Sequence, residues 1–127
     1  MAAEQLEMFE PVDEKEVRRE VARHLREYKA LKVQIENINE RSAAGVKNLY
    51  PSLRKISPEN ELKVRQMERT LLNSLNDEER EVIERKYLSN KREKDISIYT
   101  DLGYDKDRFY DIQRSAISLI ATALGII

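Results

Sequence analysis

The sequence predicts an all-α protein, and three observations carry that prediction. Gly and Pro number only three each in 127 residues, so the punctuation of a turn-rich β fold is missing. Charged residues make up 37% of the chain, a proportion that suits long solvated helix faces. Apolar residues recur at three- and four-residue spacing in successive segments, the period of a helix with one buried side. Leu, Ile, Val and Phe supply 33 of the 127 residues, enough to build a core. The expected architecture is a long N-terminal helix followed by a helical bundle. Residues 1–56 form a helical extension with its linker, and residues 57–127 form a compact unit.

The first helix is expected to begin at Asp13, which with Glu16 makes a capping-box-like start. From there Val17, Val21, Tyr28, Leu31, Ile35 and Ile38 follow a four-three spacing with His24 in register, giving one narrow apolar stripe flanked by basic residues. Such a stripe must pack on the rest of the chain or on a second copy, so a homodimer through this helix is one of two readings. The pattern breaks at Ser42–Gly45 and again at Pro51. Ser57 and Pro58 then open a second helix carrying Leu62, Val64, Met67, Leu71, Leu72 and Leu75. Asn76 and Glu79 are a second capping pair, opening a helix that buries Val82, Ile83 and Tyr87. After a polar connection from Leu88 to Lys94, a short helix with Ile96, Tyr99 and Leu102 stops at Gly103, and Asp105 caps the last helix.

Several function classes are excluded on composition. With no Cys there are no disulfides, thiolate metal sites or thiol nucleophiles, and a cytoplasmic protein is expected. No apolar run approaches the roughly 20 residues that span a bilayer, so no membrane partner is expected. One His and no Gly-rich phosphate loop leave scattered carboxylates, so the chain is expected not to be an enzyme and to need no cofactor or metal.

The faces of the last helix follow from a rotation of about 100° per residue. Taking Phe109 as origin, Ile112, Ala116, Leu119, Ile120 and Ala123 fall on one expected core arc, with Asp107, Tyr110, Asp111, Arg114 and Ser118 opposite. Leu102-Gly103-Tyr104-Asp105 then reads as helix, tight turn, cap, helix, the arrangement that offers a second helix to the DNA major groove. Lys106 at its start can meet a phosphate, and Arg114 a phosphate or guanine. Tyr110 can pack on a thymine methyl or bond a phosphate, and Asp107 can accept from a cytosine amino group.

From Leu75 onward the chain resembles the fourth conserved region of bacterial sigma factors, with Leu102, Gly103, Arg108, Ile112 and Ala116 at matching positions and Asp105 in place of the capping Ser. Over its whole length it is similar to the ArpU-type regulators of phages and prophages of Gram-positive bacteria. The features that carry this are Phe9, Glu10 and Pro11, the acidic cap at Asp13 and Glu14, the basic helix with Leu25, Tyr28 and Leu31, and the Leu124-Gly125 ending. The resemblance implies a sequence-specific DNA-binding activator of late genes, with promoter DNA and RNA polymerase as partners. It places base and phosphate contacts on Lys106, Asp107, Tyr110, Asp111 and Arg114. The sigma pattern has Arg and Gln where this chain has Tyr110 and Asp111, so no base preference is carried over. The alternatives are a polymerase-binding or protein-interaction module that does not read DNA, and a phage packaging-type DNA-binding protein.

Charge sets the expected strength of binding. The formal net charge is −1, and residues 91–114 hold six basic and six acidic side chains. Non-specific affinity for DNA rests on phosphate neutralisation, so a single copy is expected to bind weakly. A second copy or a polymerase contact would raise the effective concentration.

Overall fold

A computed structural model describes residues 13–46, 49 and 57–127; the segment at Phe9–Pro11 and the break at Pro51 lie outside the described residues. The described chain is all-helical: α1 (Glu14–Ala43), α2 (Pro58–Asn73), α3 (Asp77–Ile83) running into a π-helical turn (Glu84–Leu88), α4 (Asp95–Leu102) and α5 (Lys106–Leu124). None of these helices is long and apolar enough to cross a membrane.

α1 starts where the sequence places it, because the Asp13 carboxylate accepts from the backbone N–H groups of Lys15 and Glu16 at 3.0 and 3.3 Å. Its first half belongs to the core. Val21 and Leu25 are fully buried and Tyr28 nearly so, packed with Val64, Met67 and Leu71 of α2 and Ile117, Ile120 and Ala121 of α5. The expected stripe had His24 in register and omitted Leu25; the structure buries Leu25 and leaves His24 at the edge, 3.4 Å from Glu20. The cause is that α1 lies against two helices rather than along one partner, so its buried arc is wider than a coiled-coil seam. Lys63 Nζ, 2.9 Å from Glu27 Oε1, joins α1 to α2 at the rim.

α2 opens with Ser57 Oγ accepting from the Asn60 N–H at 3.1 Å and Pro58 in the first turn. Val64, Met67 and Leu71 turn inward together with Thr70, whose hydroxyl is satisfied by donating to the Gln66 carbonyl at 2.8 Å. Leu62 and Leu72, expected on the buried face, are exposed, since they sit on the flank away from α1 and α5.

The corner between α2 and α3 is short, and it leaves the last carbonyls of α2 without helical partners. The Arg80 guanidinium supplies them, donating to the carbonyl oxygens of Leu71 at 2.9 Å and of Leu72 and Leu75 at 3.0 Å. On the other side of the corner the Asn76–Glu79 capping box is complete, with both bonds at 2.8 Å. The second oxygen of Glu79 accepts from Ser115 Oγ at 2.6 Å, so the cap also fastens α5.

Val82 and Ile83 are both fully buried and face two different groups of side chains. Ile83 joins the α1–α2–α5 core, whereas Val82 meets Ile98 of α4 and Phe109 of α5. The α4 face differs from expectation: Ile98 is the buried residue and Ile96 is 58% exposed. On α5 the buried arc is Phe109, Gln113, Ala116, Ile117, Ile120 and Ala121, while the expected Leu119 and Ala123 face outward. The arc is turned because α1 covers the 113–117–121 flank as well.

This packing sets the expected cost of three substitutions. Leu25→Ala should cost about 2–5 kcal/mol and Phe109→Ala about 3–5 kcal/mol. In urea denaturation both should lower the midpoint of one shared transition; a transition unmoved by Leu25→Ala would show that α1 is dispensable to the core. Arg80→Met keeps the bulk of the side chain but leaves the part-buried carbonyls of Leu71 and Leu75 unpaired, and should cost about 1 kcal/mol by the same measurement.

Candidate nucleic-acid interface

The turn between α4 and α5 is built by two residue types. Gly103 has φ +79°, a left-handed conformation that side chains disfavour, and it lets the Gly103 N–H donate to the Thr100 carbonyl at 3.2 Å and the Tyr104 N–H to the Tyr99 carbonyl at 2.8 Å. Asp105 then caps α5 by accepting from the Arg108 N–H at 2.7 Å. Three residues therefore reverse the end of one helix into the start of the next. Tyr104 packs toward the Val82–Ile98–Phe109 group, with the Arg108 guanidinium 5.4 Å from its ring centre.

The five expected contact residues separate around α5. Asp107, Asp111 and Arg114 share one exposed arc with Ser118. Lys106 is exposed in the first turn, about 100° around the helix from the middle of that arc. Tyr110 is half-buried: its ring meets Phe109 edge-on at 5.3 Å, and its hydroxyl donates to Asp95 Oδ2 at 3.0 Å. It lies on the flank of α5 rather than opposite the core.

The arginines of the outer surface are already paired. Arg114 bonds Asp111 one turn away, and Arg108 bonds Glu78 of α3 at 2.7 Å. Both pairs are largely exposed, and exposed pairs are worth little, so a phosphate can compete for either arginine.

A polar network beneath this surface was not visible in the sequence. Lys86 of the π-helical turn donates to Gln113 Oε1 at 2.8 Å and lies 3.2 Å from the Asp95 carboxylate, with the Tyr87 and Phe109 rings within 6 Å of its Nζ. Asp95 thus receives both Lys86 and Tyr110 and ties α4 to α5. Arg85 from the same turn bonds Glu93 and Asp101, each at 2.8 Å, and holds the Glu93 carboxyl below its ordinary range. These partners stand 8 to 27 residues apart in the chain, and no local spacing announces them.

Two of the clefts along α1 carry arginines. One, of about 270 Å³, lies between the start of α1 and α5, with Arg18, Tyr110, Arg114 and Ser118 on its wall. The other lies between α1 and the π-helical turn, with Arg26, Lys29, Lys86, Tyr87 and Arg92 among its lining residues.

No protein-family model, curated protein or solved structure matches this chain.

The Asp95 bond gives Tyr110 a titration signature. Its phenol is pushed above the ordinary value of 10.0, first by donating to a carboxylate and then by burial. A folded-state value above the unfolded one means that the bond stabilises the fold below about pH 10 and that this contribution is lost as pH rises through the folded value. Asp95→Asn should bring Tyr110 back toward the ordinary value in an NMR titration of its ring carbon; an unmoved midpoint would exclude the bond.

Proposed function

We propose that this protein is a sequence-specific DNA-binding regulator of transcription that presents α5 to the major groove. The observation that carries the reading is the three-residue turn at Gly103–Asp105, which sets a capped helix with an exposed Asp107–Asp111–Arg114 arc directly after a short packed helix. Lys106 is exposed in the first turn of α5, beside the Asp105 cap, and can meet a phosphate there. Arg114 reaches a guanine edge or a phosphate once released from Asp111. Tyr110 contributes from the flank, orienting α5 through Asp95. The similarity to ArpU-type regulators extends the proposal to activation of phage late genes in a bacterial cytoplasm, with RNA polymerase as second partner. No catalytic step, metal or cofactor forms part of it.

The test is a footprint on the DNA flanking the protein's own gene. Lys106→Ala with Arg114→Ala should abolish a wild-type footprint while leaving helix content and melting temperature nearly unchanged, because both side chains are exposed. A footprint retained by the double variant would exclude α5 as the reading helix. Capture of RNA polymerase without any footprint would instead identify a protein-interaction module, and ring-sized oligomers in light scattering a packaging-type protein.

A further inference from the structure

The fold gathers cations in a place the charge count along residues 91–114 could not reveal. α1 on one side, and the π-helical turn with the loop after it on the other, form the two walls of a cleft of about 830 Å³. Arg26 and Lys29 come from one wall and Lys86 and Arg92 from the other, 57 to 66 residues away in the chain. The cleft has no carboxylate among its lining residues. Ala22 and Ala30 also line it, and their short side chains leave room for a bulky anion to approach the helix.

Three of the four cleft cations lack a carboxylate partner among the described residues, as do exposed cations elsewhere such as Arg65 and Arg69; what distinguishes the three is that they line one cleft. Arg23, Lys63, Arg80, Arg85, Lys91, Arg108 and Arg114 each have a carboxylate partner. Among the described residues Arg26, Lys29 and Arg92 have none within 4.0 Å. Two acidic groups that follow Arg92 in the chain are already engaged, Glu93 by Arg85 and Lys91 and Asp95 by Lys86 and Tyr110. Lys29 is anchored by donating to the Ser89 carbonyl at 3.1 Å, which holds α1 and the loop together across the cleft.

The cationic line continues toward α5. Arg18, two turns before Arg26, lines the neighbouring cleft beside Arg114. Arg18 and Arg26 are about 12 Å apart along the α1 axis. Duplex DNA carries one phosphate charge per about 1.7 Å of axis, so a span of this length meets several phosphates rather than one.

We propose that the cleft between α1 and the π-helical turn binds the phosphate backbone of duplex DNA, so that α1 is a wall of the nucleic-acid interface as well as of the core. The proposal rests on the DNA-binding reading of the protein but not on which residues of α5 read bases. It assigns the non-specific part of the affinity to Arg26, Lys29 and Arg92, leaving the neutralised surface of α5 to discriminate.

The experiment measures the affinity of the full chain for a short random-sequence duplex by fluorescence anisotropy across a series of salt concentrations. The Arg26→Ala/Lys29→Ala/Arg92→Ala variant should lower the slope of log affinity against log salt by about 2 to 3, roughly one for each phosphate that is no longer neutralised. Arg65→Ala/Arg69→Ala, which removes two exposed cations of α2 outside both clefts, should leave it unchanged. Should the triple variant melt early, Arg26→Ala/Arg92→Ala, which spares the Lys29 bond to Ser89, decides: a slope lowered by about 2 supports the proposal and an unchanged one overturns it. An unchanged slope in a folded triple variant overturns the proposal, as does a wild-type chain that binds no duplex at low salt or binds polyglutamate equally well. Random-duplex binding through the cleft without any footprint at a promoter would refute the reading role of α5 and leave the cleft assignment standing.

Discussion

The corner between α2 and α3 is the constraint on which the remaining packing depends. Ending one helix and starting another within a few residues exposes carbonyls on one side and N–H groups on the other, in a place that Leu71, Leu75, Val82 and Ile83 make apolar. Arg80 resolves the first set and the Asn76–Glu79 box the second. Because Glu79 has an oxygen left for Ser115, the same corner fixes where α5 lies. With α5 fixed, Phe109 reaches Val82 and Ile98, and α1 has a surface on which to bury Val21 and Leu25.

A second level of organisation is ionic. Lys86 and Arg85, neighbours on the π-helical turn, point into different groups: Lys86 inward to Asp95 and Gln113, Arg85 outward to Glu93 and Asp101. Five-residue hydrogen-bonded turns of this kind are uncommon and often mark functional places in helices. Here the turn forms one wall of the cationic cleft and also holds the start of α4, so the element that shapes the cleft also orients the turn before α5. A phosphate backbone held in the cleft and a base edge read by α5 would therefore be positioned by one shared frame. On the proposed reading, this arrangement would offset the electrostatic difficulty of the chain. Near-zero net charge and a neutralised α5 predict weak binding for an isolated recognition unit, yet unpaired cations contributed by α1 lie beside that unit.

Much of the helix order was legible because its signals are local. Asp13, Ser57, Asn76 and Asp105 start helices by accepting nearby N–H bonds, and Gly103 ends one through its positive φ; all these depend on residues within a few positions. Buried faces were less legible. Leu25 replaces His24, Ile98 replaces Ile96, and Gln113 and Ile117 replace Leu119 and Ala123, each time by a rotation of the face rather than loss of the helix. A helical wheel assumes one partner direction, whereas α1 and α5 are each covered from more than one side. The expected site divides for the same reason: Asp107, Asp111 and Arg114 share the outer arc, while the rotation carries Tyr110 to the flank, where Asp95 takes its hydroxyl.

By itself the sequence determined the all-α class, the order of the helices, their caps and the turn at Gly103, because these follow from dihedral preference and hydrogen bonds between near neighbours. Only the tertiary structure decided that α1 is part of the core, that Arg80 and Lys86 are internal fasteners rather than solvated charges, and that Arg26, Lys29 and Arg92 lie around one cleft. Those outcomes join residues far apart in the chain, and the free energy that selects them comes from burial and charge pairing across helices, which spacing along a single helix does not encode.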